Sequence, residues 1–145
     1  MAIEISSNTT LSVAEDRSVG SAMWNGAKGR CPSCGKGPLY TSYLKVADTC
    51  SNCSEELHHQ RADDAPPYFT ILIVCHIIGA GILAVEDTWA PPSWVHAAIW
   101  VPLILVMSLS LLPPIKGTLI GIQWANRMHG FAGKDEDAEM ADQTA

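Results

Sequence analysis

Residues 68–85 (YFTILIVCHIIGAGILAV) and 94–112 (WVHAAIWVPLILVMSLSLL) contain no Asp, Glu, Lys or Arg. Each is close to the ~20 residues that a helix rising ~1.5 Å per residue needs to cross about 30 Å of hydrocarbon. Only EDTWAPPS lies between them, a short acidic turn with two adjacent prolines. Backbone amides find no water inside a bilayer, so a helix is the one single-segment structure that can span it. The pattern predicts a transmembrane helical hairpin. The alternative is a pair of core helices in a soluble domain, but the rest of the chain is short and polar for covering two such helices.

The 48% hydrophobic content averages these segments with polar flanks. A net charge of −6 argues against general nucleic-acid binding. Residues 1–20 lack a continuous apolar core and carry Glu4, Glu15 and Asp16, so no signal peptide is expected and the first membrane helix directs insertion. Residues 1–27, rich in Ser, Thr and Asn, read as a flexible leader. Within it, Ile3, Ile5, Leu11 and Val13 could form a short strand or a docking segment, and Trp24 is expected to pack on the module that follows.

That module covers residues 28–60 and carries four of the five cysteines in two C-x-x-C pairs, Cys31/Cys34 and Cys50/Cys53. The spacing fits the two-knuckle pattern of a four-cysteine zinc site. In each pair a tight turn aims both sulfurs at one ion, and Gly35 suits the positive φ that ends such a turn. Ser54 stands where the second knuckle would place its glycine. Residues 39–46 (LYTSYLKV) are β-prone and would supply the strands of a zinc ribbon. One structural zinc ion is the reading. Iron in a rubredoxin-like site and dithiol redox chemistry are the alternatives, and His58 or His59 could replace a cysteine ligand. Four sulfurs leave no open coordination position, so such a metal is not catalytic. So small a module cannot bury enough apolar area to fold alone, and metal binding would supply much of its folding free energy.

Residues 61–67 (RADDAPP) form the junction with the first membrane helix. Pro67 fits a first helical turn, and Asp63 and Asp64 would sit near the positive end of the helix dipole. Arg61 could pair with either. Two readings remain open: a structural cap at the membrane surface, or a charged docking site for a partner. In the first membrane helix, His76 at mid-bilayer needs a hydrogen-bond partner, in the second helix or in another protein. Ala80 and Ala84, with Gly79 and Gly81, form a small-residue surface that permits close helix contact. Cys75 reads as an apolar filler. A copper or haem site built from Cys75, His76 and His96 is the alternative.

Six of the nine basic residues precede the first membrane helix, the other three follow the second, and none lies in the turn. The positive-inside rule therefore places both termini in the cytoplasm, the side that also suits reduced thiols. Trp89, Trp94 and Trp100 fall toward the outer surface. Pro113–Pro114 predicts an end or kink of the second helix. Beyond it Ile120, Trp124, Met128 and Phe131 share a stripe, which predicts a separate amphipathic helix over 113–131. It would lie on the inner leaflet or fold onto the ribbon; a straight extension of the second helix is the alternative. The tail, 132–145, is acidic and reads as disordered.

The fold class expected is thus an all-α membrane hairpin with a zinc-ribbon-like β module and a C-terminal amphipathic helix. CPSCGKGPLY, CSNC, RADDAPPYFTILIVCH and LLPPIKGTLIGIQW…HGF, in that order over about residues 28–131, resemble the bacterial family of domains of unknown function numbered 983. The resemblance implies a small inner-membrane protein with a zinc-ribbon-like segment and two membrane helices. It also implies an association with cytochrome c oxidase, because alphaproteobacterial genes of the family often lie among those for oxidase subunits and assembly factors. No catalytic residues carry across, and a non-enzymatic accessory or assembly factor is expected. A zinc-ribbon scaffold in an unrelated membrane complex is the remaining alternative.

Overall fold

A computed structural model describes residues 17–62, 64–128 and 130–131. Five elements follow in order: α1 (Val19–Ala27), β1 (Tyr40–Ser42), β2 (Lys45–Val46), α2 (Ala65–Trp89) and α3 (Ser93–Ala125). Asp63, the acidic tail and residues 1–16 of the expected leader lie outside the described residues.

The remainder of that leader departs from expectation, because residues 19–27 form a helix. Gly29, at φ +69°, stops it. The Gly29 amide donates to the Gly26 carbonyl at 2.8 Å and the Arg30 amide to Asn25 at 2.9 Å, the paired bonds of a Schellman cap. Nine residues are too few to hold a helix in water without tertiary support. The support is α3. A Cβ added to Gly26 would strike the Gly117 carbonyl, one added to Gly117 would strike the Gly26 carbonyl, and one added to Gly121 would strike the Ala22 carbonyl. Ala22-x-x-x-Gly26 and Gly117-x-x-x-Gly121 thus let two backbones meet where any larger side chain would hold them apart. Trp24 does not pack on the ribbon as expected. It is 63% exposed, with the Lys28 ammonium 4.5 Å from its ring centroid.

Residues 39–46 supply the expected strands, a two-stranded antiparallel sheet that pairs Tyr40 with Val46 and Ser42 with Lys45. The ribbon core is Cys31, Leu39, Cys50, Leu57 and Ala62, and its last member, Ile120, comes from α3.

α2 starts with Pro66 and Pro67 in its first turn, where a missing N–H breaks no helical bond. Ala90, in the left-handed region at φ 42°, ends it. Pro91 and Pro92 then lead into α3. The two helices lean together where the Trp100 ring covers Gly81; a Cβ there would lie 2.7 Å from Trp100 Cη2. Both are long and apolar enough to cross a membrane. Among the described residues most of the apolar surface of α2 and of α3 up to Leu112 is uncovered: Leu83 is 72% exposed and Val106 65%. The core helices of a soluble domain would be covered.

α3 corrects a second expectation. No separate amphipathic helix follows Pro113–Pro114; a single helix of 33 residues runs through the proline pair. Pro113 has no N–H to give the Leu109 carbonyl, the acceptor one turn back. The ribbon provides the substitute, as the Tyr43 hydroxyl donates to Leu109 O at 2.6 Å. The Tyr40 hydroxyl donates to Pro113 O at 2.8 Å, and burial pushes that phenol up to about 12, so it remains a donor. Lys116 Nζ reaches Leu44 O at 3.0 Å. Of the two surfaces expected for the stripe, the inner leaflet or the ribbon, it is protein that the stripe covers. Ile120 enters the ribbon core, while Trp124 and Phe131 are buried beside Ala22; only Met128 is exposed. At ~1.5 Å per residue α3 is about 50 Å long, so about 20 Å beyond Pro113 serves as a post for α1 and the ribbon.

Candidate metal centre

The four cysteines of the ribbon converge. Their Sγ atoms all lie within 4.8 Å of one another. Two opposite edges of the group are short, Cys31–Cys53 at 3.7 Å and Cys34–Cys50 at 3.8 Å. Four thiolates at ~2.3 Å around a tetrahedral ion stand about 3.8 Å apart, so the spacing fits one ion.

The two halves repeat one local design. In the first, the Gly35 amide donates to Cys31 O at 2.9 Å and the Lys36 amide points at Cys34 Sγ at 3.5 Å. In the second, the Ser54 amide donates to Cys50 O at 2.9 Å and the Asn52 amide points at Cys50 Sγ at 3.4 Å. Gly35 closes its turn at φ +66° and Ser54 at φ +58°. Ser54 therefore takes the left-handed backbone that its neighbour in the motif assigns to glycine. Gly37 is needed for a different reason, since a Cβ on it would strike Cys50 Sγ.

Electrostatics separate the thiols. Burial pushes Cys31 well above the ordinary thiol range and also raises Cys53. At Cys34 burial acts upward too, but the backbone amides of Gly37 and Lys36, with Cys53 and Asn52, outweigh it and bring the thiol down to about 6. The cage thus presents Cys34 as a readily ionised thiol beside Cys31 and Cys53, which burial keeps protonated. Cys31, Cys34, Cys50 and Cys53 can together bind one metal ion and would leave it no open position.

Residues 40–124 match the model of a family described as "Protein of unknown function (DUF983)". The chain belongs to this family. No curated protein and no solved structure matches it. The DUF983 match starts at Tyr40, so it takes in the second knuckle, the junction and the two long helices. The first knuckle, Cys31 and Cys34, lies just ahead of it.

The other residues singled out from sequence are not part of the DUF983 chain's sulfur cage. At the junction, Arg61 holds α3 through its backbone, not its charge. Its amide donates to Gln123 Oε1, and Gln123 Nε2 donates back to Arg61 O, both at 3.1 Å. No ion pair joins Arg61 to Asp64 among the described residues. Asp64 precedes α2 without a side-chain capping bond. Nothing in the local sequence marks Gln123 as a junction residue, because its partner Arg61 lies 62 positions away.

His76 needs no partner from α3, because its Nδ1 bonds the Leu72 carbonyl of its own helix at 2.7 Å. His96 Nδ1 accepts from Trp100 Nε1 at 3.0 Å, and its Nε2 donates to Glu86 at 3.0 Å. Cys75 is exposed on α2. These three do not assemble into a site; among the described residues the gathered ligand groups are the four cysteines and a second set, Glu56, His58 and His59. His58 and His59 therefore stand apart from the sulfur cage and do not replace a cysteine in it.

Proposed function

We propose that this DUF983 protein is a non-enzymatic inner-membrane protein. α2 and α3 cross the bilayer as a hairpin, and both termini and the ribbon lie in the cytoplasm. The four cysteines hold one structural zinc ion. The observation that carries this reading is the bareness of the two apolar helices beside a closed sulfur cage. Lipid or another membrane protein is what covers such surfaces, and a saturated four-sulfur site offers a substrate no vacant position. The absence of Lys and Arg from the turn supports the orientation.

Within the bilayer, Gly81 is used up under Trp100, whereas a Cβ on Gly79 would meet nothing within 4 Å. The open small-residue face at Gly79 and Ala80 suits close approach of a partner helix. The partner in this reading is a cytochrome c oxidase or one of its assembly intermediates, a choice that rests on the company implied by the family resemblance. The ribbon, locked to α3 by Tyr40, Tyr43 and Gln123, then presents a fixed cytoplasmic head to that partner. Purification of the chain from native membranes under mild detergent tests this. Oxidase subunits or assembly factors should co-purify, and their absence from a preparation that keeps other membrane complexes intact would refute the partner.

A further inference from the structure

A second set of ligating side chains sits on the ribbon surface. Glu56, His58 and His59 each offer one ligand atom, and these atoms lie within 4.8 Å of one another. His59 Nε2 stands 3.0 Å from Glu56 Oε2. This is a hydrogen bond, and it holds the two ligand atoms within the ~3.0–3.4 Å that donors at ~2.1 Å from one ion would keep, so an ion can take the place of the shared proton with little movement.

The side chains are accessible, but what carries them is rigid. Glu56 forms an antiparallel bridge with Thr49, and the amides of Leu57 and His58 both donate to Asp48 O, at 2.8 and 3.2 Å. Leu57 between the ligands is wholly buried in the ribbon core. The His59 ring meets the edge of Phe131 at 6.0 Å between centroids, and a Cβ on Gly130 would come within 2.7 Å of His59 Nδ1. The chain beyond α3 thus sets the ring's orientation. The His58 ring lies 4.0 Å from that of His59.

We infer that Glu56, His58 and His59 bind one divalent transition ion of the nickel, copper or zinc type in a site separate from the sulfur cage. Two imidazoles and one carboxylate favour these ions over calcium and magnesium, which prefer oxygen alone. Three protein donors leave coordination positions to water, so the ion exchanges where the caged one does not. The inference goes beyond the structural reading of the ribbon and holds whether or not an oxidase is the partner.

The test uses the full-length, tag-free chain in detergent with its sulfur cage filled by zinc. After equilibration with nickel at tens of micromolar and mass-spectrometric metal counting, one nickel ion per chain should be gained with zinc retained. The His58→Ala/His59→Ala double variant should keep its zinc and gain no nickel. Glu56→Gln should weaken nickel binding by roughly tenfold or more. No nickel gained by the wild type, or equal gain by the double variant, overturns the inference. A second measurement is independent of any variant's folding. The copper-loaded wild type should show hyperfine coupling to two imidazole nitrogens in electron paramagnetic resonance, and a spectrum without nitrogen coupling also overturns it.

Discussion

Replacing Gly117 with alanine should loosen α1 from α3 although alanine is the better helix former. The added methyl would strike the Gly26 carbonyl and would also lie 3.3 Å from the Tyr40 hydroxyl. What it meets is backbone, not the yielding end of a side chain. The cost therefore falls at the upper end of overpacking, about 3 kcal/mol. The gain in helix propensity returns about 1 kcal/mol, for a net loss of about 2 kcal/mol. A loss of that size raises the fraction of chains with α1 undocked by about 30-fold. Trypsin cutting after Lys28 reads this fraction, provided reclosing outpaces cleavage. Gly20→Ala is the control, since a Cβ there meets nothing within 4 Å; it should be cut no faster than wild type. If Gly117→Ala is cut no faster than Gly20→Ala, the carbonyl contact does not hold α1 in place.

Three further outcomes are expected. Ser54→Gly should stabilise the metal-loaded ribbon by about 0.5–1 kcal/mol in denaturant titrations, because a non-glycine residue at positive φ costs ~1–2 kcal/mol and glycine's unfolded-state freedom returns part of that; a lowered midpoint would contradict it. Tyr43→Phe should cost about 1 kcal/mol in wild type and less in a Pro113→Ala background, where an amide again serves Leu109 O; a double-mutant cycle with no coupling would show that the hydroxyl does not stand in for the proline's missing donor. Metal uptake near neutral pH should release fewer than four protons per ion, because Cys34, at about 6, is already ionised while burial keeps Cys31 and Cys53 protonated. Affinity should then fall as the solution is acidified and protons compete for the sulfurs, and a pH-independent affinity would refute this.

The two apolar segments and the sulfur cage were readable because each is written locally. Chain length and the lack of charge define the helices, and the spacing of Cys31/Cys34 and Cys50/Cys53 defines the cage. What escaped depends on contacts between distant segments. Pro113–Pro114 reads as a break until Tyr43, 66 residues away from Leu109, is seen to serve the carbonyl that the proline leaves free. Residues 19–27 have the composition of a leader and become a helix only against α3. The signal for that contact was present in Ala22-x-x-x-Gly26 and Gly117-x-x-x-Gly121, but the second motif lay beside a stripe whose expected partners were the inner leaflet or the ribbon, not residues 19–27. Ile120 and Trp124 were correctly placed on one face, and that face turned out to cover protein. His58 and His59 were considered as spare ligands for the cage; Glu56, which the turn after the second knuckle brings to His59, was not.

The central claim is that the sulfur-caged head sits at the cytoplasmic end of a membrane hairpin, and protease protection tests it most directly. Trypsin added to right-side-out spheroplasts should leave residues 17–61 intact, and trypsin added to inverted inner-membrane vesicles should cut at Lys28 and Arg30, both of which are exposed. Cleavage at these positions in intact spheroplasts, or recovery of the chain in the soluble fraction before any protease is added, would contradict the account.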